Sequence, residues 1–386
     1  MAIYFITTLV IAFYAGLLKN VNTSEKRKKQ FLFLAFGILT LVAMMRSPSV
    51  GIDLAKHYAR NYTLIASSGW RELPAISIST GYELGFVYYC KLISLISHNV
   101  QWFIAITSII VYSVMGRFIY RYSNNVFLST YLFITSCCYY MFMNILRQAL
   151  AVSIILIAYD FLCKKEEKGK IFGYLIFAVM VLLASSFHQS AIIAMLFILF
   201  DVLQFKKRHC VYAIIGVFSI YSLYDRAYLF IIKFVSNGQR YLAHITNEYE
   251  GVSSIDIYTI INILLTMGAF VLGYYYLIFR RKKMSGASEC CRVSALRYQK
   301  ESTLLYLSLM AGICRMLTTR MNILNRATFY FLPFVFIMYP LAIKNSTYRK
   351  LLKYTIYILF GIFFLFMTLF LAGDYYGVVP FQAFWQ

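Results

Sequence analysis

Arginines, carboxylates and one histidine recur in four short constellations, and the chemistry they suit is recognition of an anion with a proton acceptor close by. The first is Arg46-x4-Gly51-x-Asp53-x4-Tyr58, where Ser47, Pro48 and Gly51 favour a turn over a continuing helix. A helix over residues 53–65 would put Asp53, His57 and Arg60 on one face, because positions three, four and seven apart stack along one side. The second is Gly81-Tyr82-Glu83-Leu84-Gly85-Phe86, which sets an acidic residue at the mouth of an apolar stretch. Glu83 is costly there unless it is paired or used, with Arg46, Arg71 or a substrate hydroxyl as its partner.

The third constellation is Asn144-x2-Arg147-Gln148-x-Leu150-Ala151, in which Asn144 reads as a helix N-cap. The orphan amides of that helix start, with Arg147 and Gln148 beside them, would form an anion-binding corner. Helices also begin beside His188-Gln189-Ser190 and beside Asn325-Arg326, so three positive dipole ends would point at one surface. The fourth is the loop Asn237-Gly238-Gln239-Arg240-Tyr241 with Glu248, Glu250 and Asp256, a mixture of donors, carboxylates and aromatics that suits sugar hydroxyls and ring faces. Arg315, Arg320 and Arg326 complete the set of arginines on that side.

The elements that must position these residues are membrane helices. Of 386 residues, 61% are hydrophobic and 13% charged, and the mean hydropathy is +0.68, which excludes a soluble globular protein. A membrane core asks for about 20 apolar residues per helix. Stretches of that kind are expected near 2–18, 31–45, 101–117, 126–142, 146–163, 171–187, 189–205, 211–224, 257–279, 302–318, 327–343 and 354–372. The expectation is thus an all-α polytopic protein of about 12 transmembrane helices in a single domain, residues 1–386, with outer loops at about 46–100 and 225–256. Leu84 to Ser97 is apolar but short and carries Lys91; a re-entrant or interfacial helix fits it better than a span.

Lys19 with Lys26–Lys29, Lys164–Lys170, Lys206–Arg208, Arg280–Lys300 and Lys344–Lys353 then fall on one side, which the positive-inside rule makes cytoplasmic. Both termini come out extracytoplasmic, and Ile3–Leu18 reads as a retained first span, having no charged segment before it. The net charge of +22 needs no nucleic acid, since basic loops against the inner leaflet of the lipid bilayer account for most of it. About 25 basic residues lie inside, mostly Lys, and about 12 outside, mostly Arg. A planar fork of donors recognises phosphate or carboxylate better than an ammonium does, so the outer face reads as an anion site. Snorkelling to headgroups is the structural alternative for Arg46, Arg226 and Arg315. The eight cysteines suggest no disulfide framework, and no histidine pair has zinc-site spacing with carboxylates beside it.

Four motifs carry a resemblance: Arg-Ser-Pro-Ser-Val-Gly-Ile-Asp at 46–53, Tyr-Glu-x-Gly-Phe at 82–86, Asn-x-x-Arg-Gln-x-Leu-Ala at 144–151 and His-Gln-Ser-Ala at 188–191. In order and spacing they resemble the EpsG-like branch of the Wzy polysaccharide polymerases, over about residues 1–343, with Asn325-Arg326-x3-Tyr330 the main support in the second half. The resemblance implies a bacterial plasma-membrane enzyme with a glycosyltransferase-C-like helical fold and neither metal nor cofactor. Its substrates would be oligosaccharide repeats linked to undecaprenyl diphosphate on the outer leaflet, and its partners a flippase and a chain-length regulator. In such a reaction negative charge grows on the departing phosphate, which Arg46, Arg147, Arg326 and Arg240 suit, with Tyr58, Gln148 and Arg320 as further substrate contacts. The acceptor hydroxyl needs a base, for which Asp53, Glu83 and His188 are the candidates. No D-x-D pair is present to hold a cation, so arginines take its place. A lipid-oligosaccharide flippase and an O-antigen ligase-like transferase remain the rival readings. A flippase would line a deep cavity between two halves with its cationic residues.

Overall fold

The computed structural model describes residues 1–163, 169–234, 257–279, 291–319 and 323–386. These are helical, with no strand among the described residues beyond an isolated pairing of Arg46 with Ala383. The first half runs α1 (Ala2–Leu17), α2 (Glu25–Met44), α3 (Ala59–Ser67), α4 (Leu73–Thr80), α5 (Leu84–Ser94), α6 (Val100–Tyr122), α7 (Val126–Thr135), α8 (Cys138–Asn144), α9 (Leu146–Cys163) and α10 (Lys170–Ser185). The helices Leu196–Val202, Lys207–Phe234, Ile257–Tyr274, Cys291–Leu317, Ile323–Asn345, Arg349–Phe366 and Ala372–Tyr376 follow. Two compact units form: Met1–Ile198 with Phe336–Gln386, and Leu199–Val335.

Each of the twelve apolar stretches lies on helical structure. Among the described residues five helices are long and apolar enough to cross a membrane, or six when the bent pair α7–α8 is taken as one span. The others miss on length or charge. The 16 residues of α1 reach about 24 Å, and α2 opens on Glu25 and four basic residues. The stretch 126–142, expected as one helix, is broken at Ser136 and Cys137 with a bend of 59°. Cys137 adopts a left-handed backbone, φ 61°, which ends α7 although neither Gly nor Pro stands there. At 11 residues, about 16 Å, α5 is too short to span, as the reading of an interfacial or re-entrant helix requires.

In the first unit α9 is the central element, packed against α6 and α10 with 72% of its apolar window buried. Its far end is clasped to α6: Asp160 accepts hydrogen bonds from Arg117, from Arg121 at 2.5 Å and from the Tyr122 hydroxyl at 2.5 Å. That clasp lies about 20 Å along α9 from Arg147 and holds the helix in axial register.

Residues 46–100, read from the sequence as an outer loop, are mostly short helices. The start of this segment is tied to the end of the chain. Ser47 N–H donates to Gln382 O at 2.8 Å, Phe384 N–H to Met45 O at 3.0 Å, and Ser49 Oγ to Gln382 Oε1 at 2.9 Å. Gly51 N–H donates to Gly377 O at 2.7 Å, and a Cβ on Gly377 would come within 2.9 Å of the Ile52 nitrogen. Glycine at both positions, φ 110° and 63°, lets the two backbones meet.

Candidate functional site

Asn144 is the last residue of α8, Ile145 leaves helical geometry with ψ 60°, and α9 starts at once with Leu146. Arg147 therefore sits in the first turn of a helix. Its Nη1 donates to Glu83 Oε2 at 2.7 Å and to Gly81 O at 3.4 Å, and the guanidinium lies over the Tyr82 ring, 4.4 Å from its centre. The other oxygen of Glu83 accepts the Gln189 backbone N–H at 2.9 Å. One carboxylate thus ties together the starts of α5, α9 and the turn after α10. The partner of Glu83 is Arg147, not Arg46 or Arg71, because the α8–α9 break turns Arg147 back over the 81–83 segment.

The approach of α5 depends on Gly85. A Cβ there would lie 2.2 Å from Ser186 Oγ and 2.7 Å from Ser186 O, while Phe86 N–H donates to that same carbonyl at 3.2 Å. Gly85→Ala must push the start of α5 off α10 and draw Glu83 from Gln189. It is expected to destabilise the protein by about 1–3 kcal/mol, read by thermal unfolding of the purified chain.

Asp53 joins the cluster through its backbone. Its N–H donates to Asn144 Oδ1 at 2.8 Å, so Asn144 holds the 51–53 turn in place of the N-cap role expected of it. The helix expected over 53–65 forms, but it opens with a wide π turn, Leu54–Tyr58, before α3. The wide turn spoils the shared face of Asp53, His57 and Arg60: Tyr58 turns inward and is buried, Asp53 is half-buried, and His57 and Arg60 are exposed. Burial raises the pKa of the Tyr58 hydroxyl; Arg147 lowers it through charge and a hydrogen bond, and Asp53 raises it. Asp53, Tyr58, Tyr82, Glu83 and Arg147 therefore form one electrostatic cluster.

His188 is buried beside it, its Nδ1 2.7 Å from Ser190 Oγ, and the next residue supplies the amide to Glu83. Gln148, next to Arg147, is enclosed in the interior at 1% exposure. Arg46 is enclosed completely: Nη1 donates to Ala43 O at 2.5 Å and Nη2 to Met143 O at 2.9 Å. In the second unit Arg326 is exposed, and Arg315 is buried with Nη1 on Asn325 Oδ1 at 2.6 Å. Arg240 and Arg320 lie outside the described residues, as does the 237–241 loop. Among the described residues no group of three His, Cys, Asp or Glu side chains is placed to hold a metal.

What the arrangement can do is hold an oxyanion. Two donors from separate segments converge on one carboxylate, and the Arg147 and Glu83 side chains are only 16% and 21% exposed. The signal missed in the sequence was the pairing itself, since nothing in residues 81–86 names a partner 64 positions away. The C-terminal strap and the Asp160 clasp were also missed.

No curated protein and no solved structure matches the chain. The sequence model of the EpsG family does match, over residues 29–383, a span that holds all four motifs and every residue of the cluster. The chain is a multi-pass membrane protein of the EpsG family, the family of Wzy-like polysaccharide polymerases.

Proposed function

We propose that the protein joins oligosaccharide repeat units, carried on undecaprenyl diphosphate, into surface polysaccharide at the outer face of the bacterial plasma membrane. In this reading the twelve helical stretches all cross the bilayer, as in a glycosyltransferase-C-like fold, and the 46–100 segment lies outside. The observation that supports it is the Arg147 cluster: an arginine at a helix start, a carboxylate, a backbone amide and a buried tyrosine gathered in one half-enclosed place.

The chemistry follows from those groups. The acceptor hydroxyl attacks the anomeric carbon of the donor while the bond to the diphosphate breaks, so charge accumulates on the departing phosphate. Arg147, fixed by the Tyr82 ring and the Gly81 carbonyl, is positioned to receive it without reorganising. Asp53, Glu83 and His188 are the groups able to take the hydroxyl proton, and all three belong to segments that contact Arg147 or its partners.

Purified protein in vesicles, supplied with lipid-linked repeat, should produce a ladder of polymer lengths on a gel. Transfer of single repeats across the bilayer without a ladder would replace the polymerase reading with the flippase.

A further inference from the structure

Glu83 is a strange base as it stands. Both of its oxygens are engaged, one by a guanidinium at 2.7 Å and one by a backbone amide at 2.9 Å. A carboxylate so held has no oxygen left turned toward an acceptor hydroxyl. The same two donors, however, form a frame for any oxyanion. They approach from different segments, and Arg147 keeps a further donor, its buried Nε, with no hydrogen-bond partner.

We propose that Glu83 stands in the donor's diphosphate site in the resting protein and is displaced when the donor binds, so that loading the donor releases the base. The inference rests on the polymerase reading above and assigns Glu83, ahead of Asp53 and His188, as the group that accepts the proton.

Three observations carry it. A diphosphate brings more charge and more acceptor oxygens to Arg147 and the Gln189 amide than one carboxylate does, and so competes with it directly. The guanidinium stays in place when Glu83 leaves, because the Tyr82 ring beneath it and the Gly81 carbonyl hold it independently. Glu83 itself precedes α5 on extended backbone, φ −63° and ψ 142°, and its side chain makes no bond to its own helix, so rotation frees it without unwinding α5.

Once displaced, the carboxylate takes the acceptor hydroxyl proton as that oxygen bonds to the anomeric carbon. The carbon–oxygen bond to the diphosphate breaks and its electron pair leaves with the phosphate on Arg147. Glu83 then gives the proton to solvent and pairs again with Arg147, which expels the spent lipid diphosphate.

The probe is inorganic pyrophosphate, titrated calorimetrically into the full-length protein in nanodiscs. Glu83→Gln keeps the shape and removes the competing charge, so pyrophosphate should bind roughly tenfold tighter than to wild type, a difference of about 1.4 kcal/mol. Glu83→Asp, one methylene too short to reach both donors, should move affinity the same way by less. Arg147→Ala should abolish binding. Affinity that is unchanged or weaker in the folded Gln and Asp variants overturns the displacement, as does wild-type affinity in Arg147→Ala. Pyrophosphate binding in the expected pattern from a protein that makes no ladder would instead refute the polymerase reading and leave the displaced carboxylate standing.

Discussion

Arg147→Ala is expected to lower polymer formation by roughly 10²–10³-fold, the loss that follows when one preorganised donor to a developing oxyanion is removed. Surface glycan should then consist of single repeat units, seen as collapse of the ladder on a gel at unchanged protein level. The fold should survive, because Glu83 keeps the Gln189 amide and Gly85 still seats α5 on Ser186. Arg147→Lys should fall between the two: it keeps the charge, but a compact ammonium lacks the planar guanidinium that stacks over the Tyr82 ring while its Nη1 reaches Glu83 and Gly81. Long polymer made by folded Arg147→Ala would remove this side chain from the reaction.

The parts of the fold written locally were legible. Apolar stretches of membrane length became helices, and the shortness of Leu84–Ser94 followed from its length and from Lys91, which is buried and donates to the Ala66 and Ser68 carbonyls. The α7–α8 break was not legible, because Ser136, Cys137 and Cys138 include none of the usual helix-ending residues, and the left-handed residue, Cys137, is a buried cysteine. In the site, the composition of the motifs named Asp53, Glu83, Arg147 and His188, yet not the contacts among them. Those contacts span up to 106 positions, and no periodicity extends that far. The Asn144 side chain illustrates the difference: local rules make it an N-cap for the helix that carries Arg147, whereas tertiary structure spends its oxygen on the Asp53 amide.

Arg46 shows the same effect with a larger consequence. Its motif suggested a substrate contact, but in the structure it is fully enclosed, with Tyr4, Tyr112 and Tyr139 near enough to act on its charge. Its hydrogen bonds go to Ala43 and Met143, carbonyls in the last turns of α2 and α8, where the helix dipoles place partial negative charge. Two helix ends thus share one cation, and that cation fixes Met143 next to Asn144, which lies three residues before Arg147 and holds the Asp53 amide. Arg46→Ala would take the guanidinium donors from both carbonyls at a fully buried position, and is expected to cost about 2–5 kcal/mol of stability. Thermal unfolding of the purified variant reads that loss. Arg46→Lys, which retains charge and can reach one carbonyl, should recover part of it. Because the guanidinium acts through the α8 end, polymer formation by Arg46→Lys should fall in step with the lost stability. An Arg46→Lys protein as stable as wild type yet inactive would place this arginine on the substrate instead.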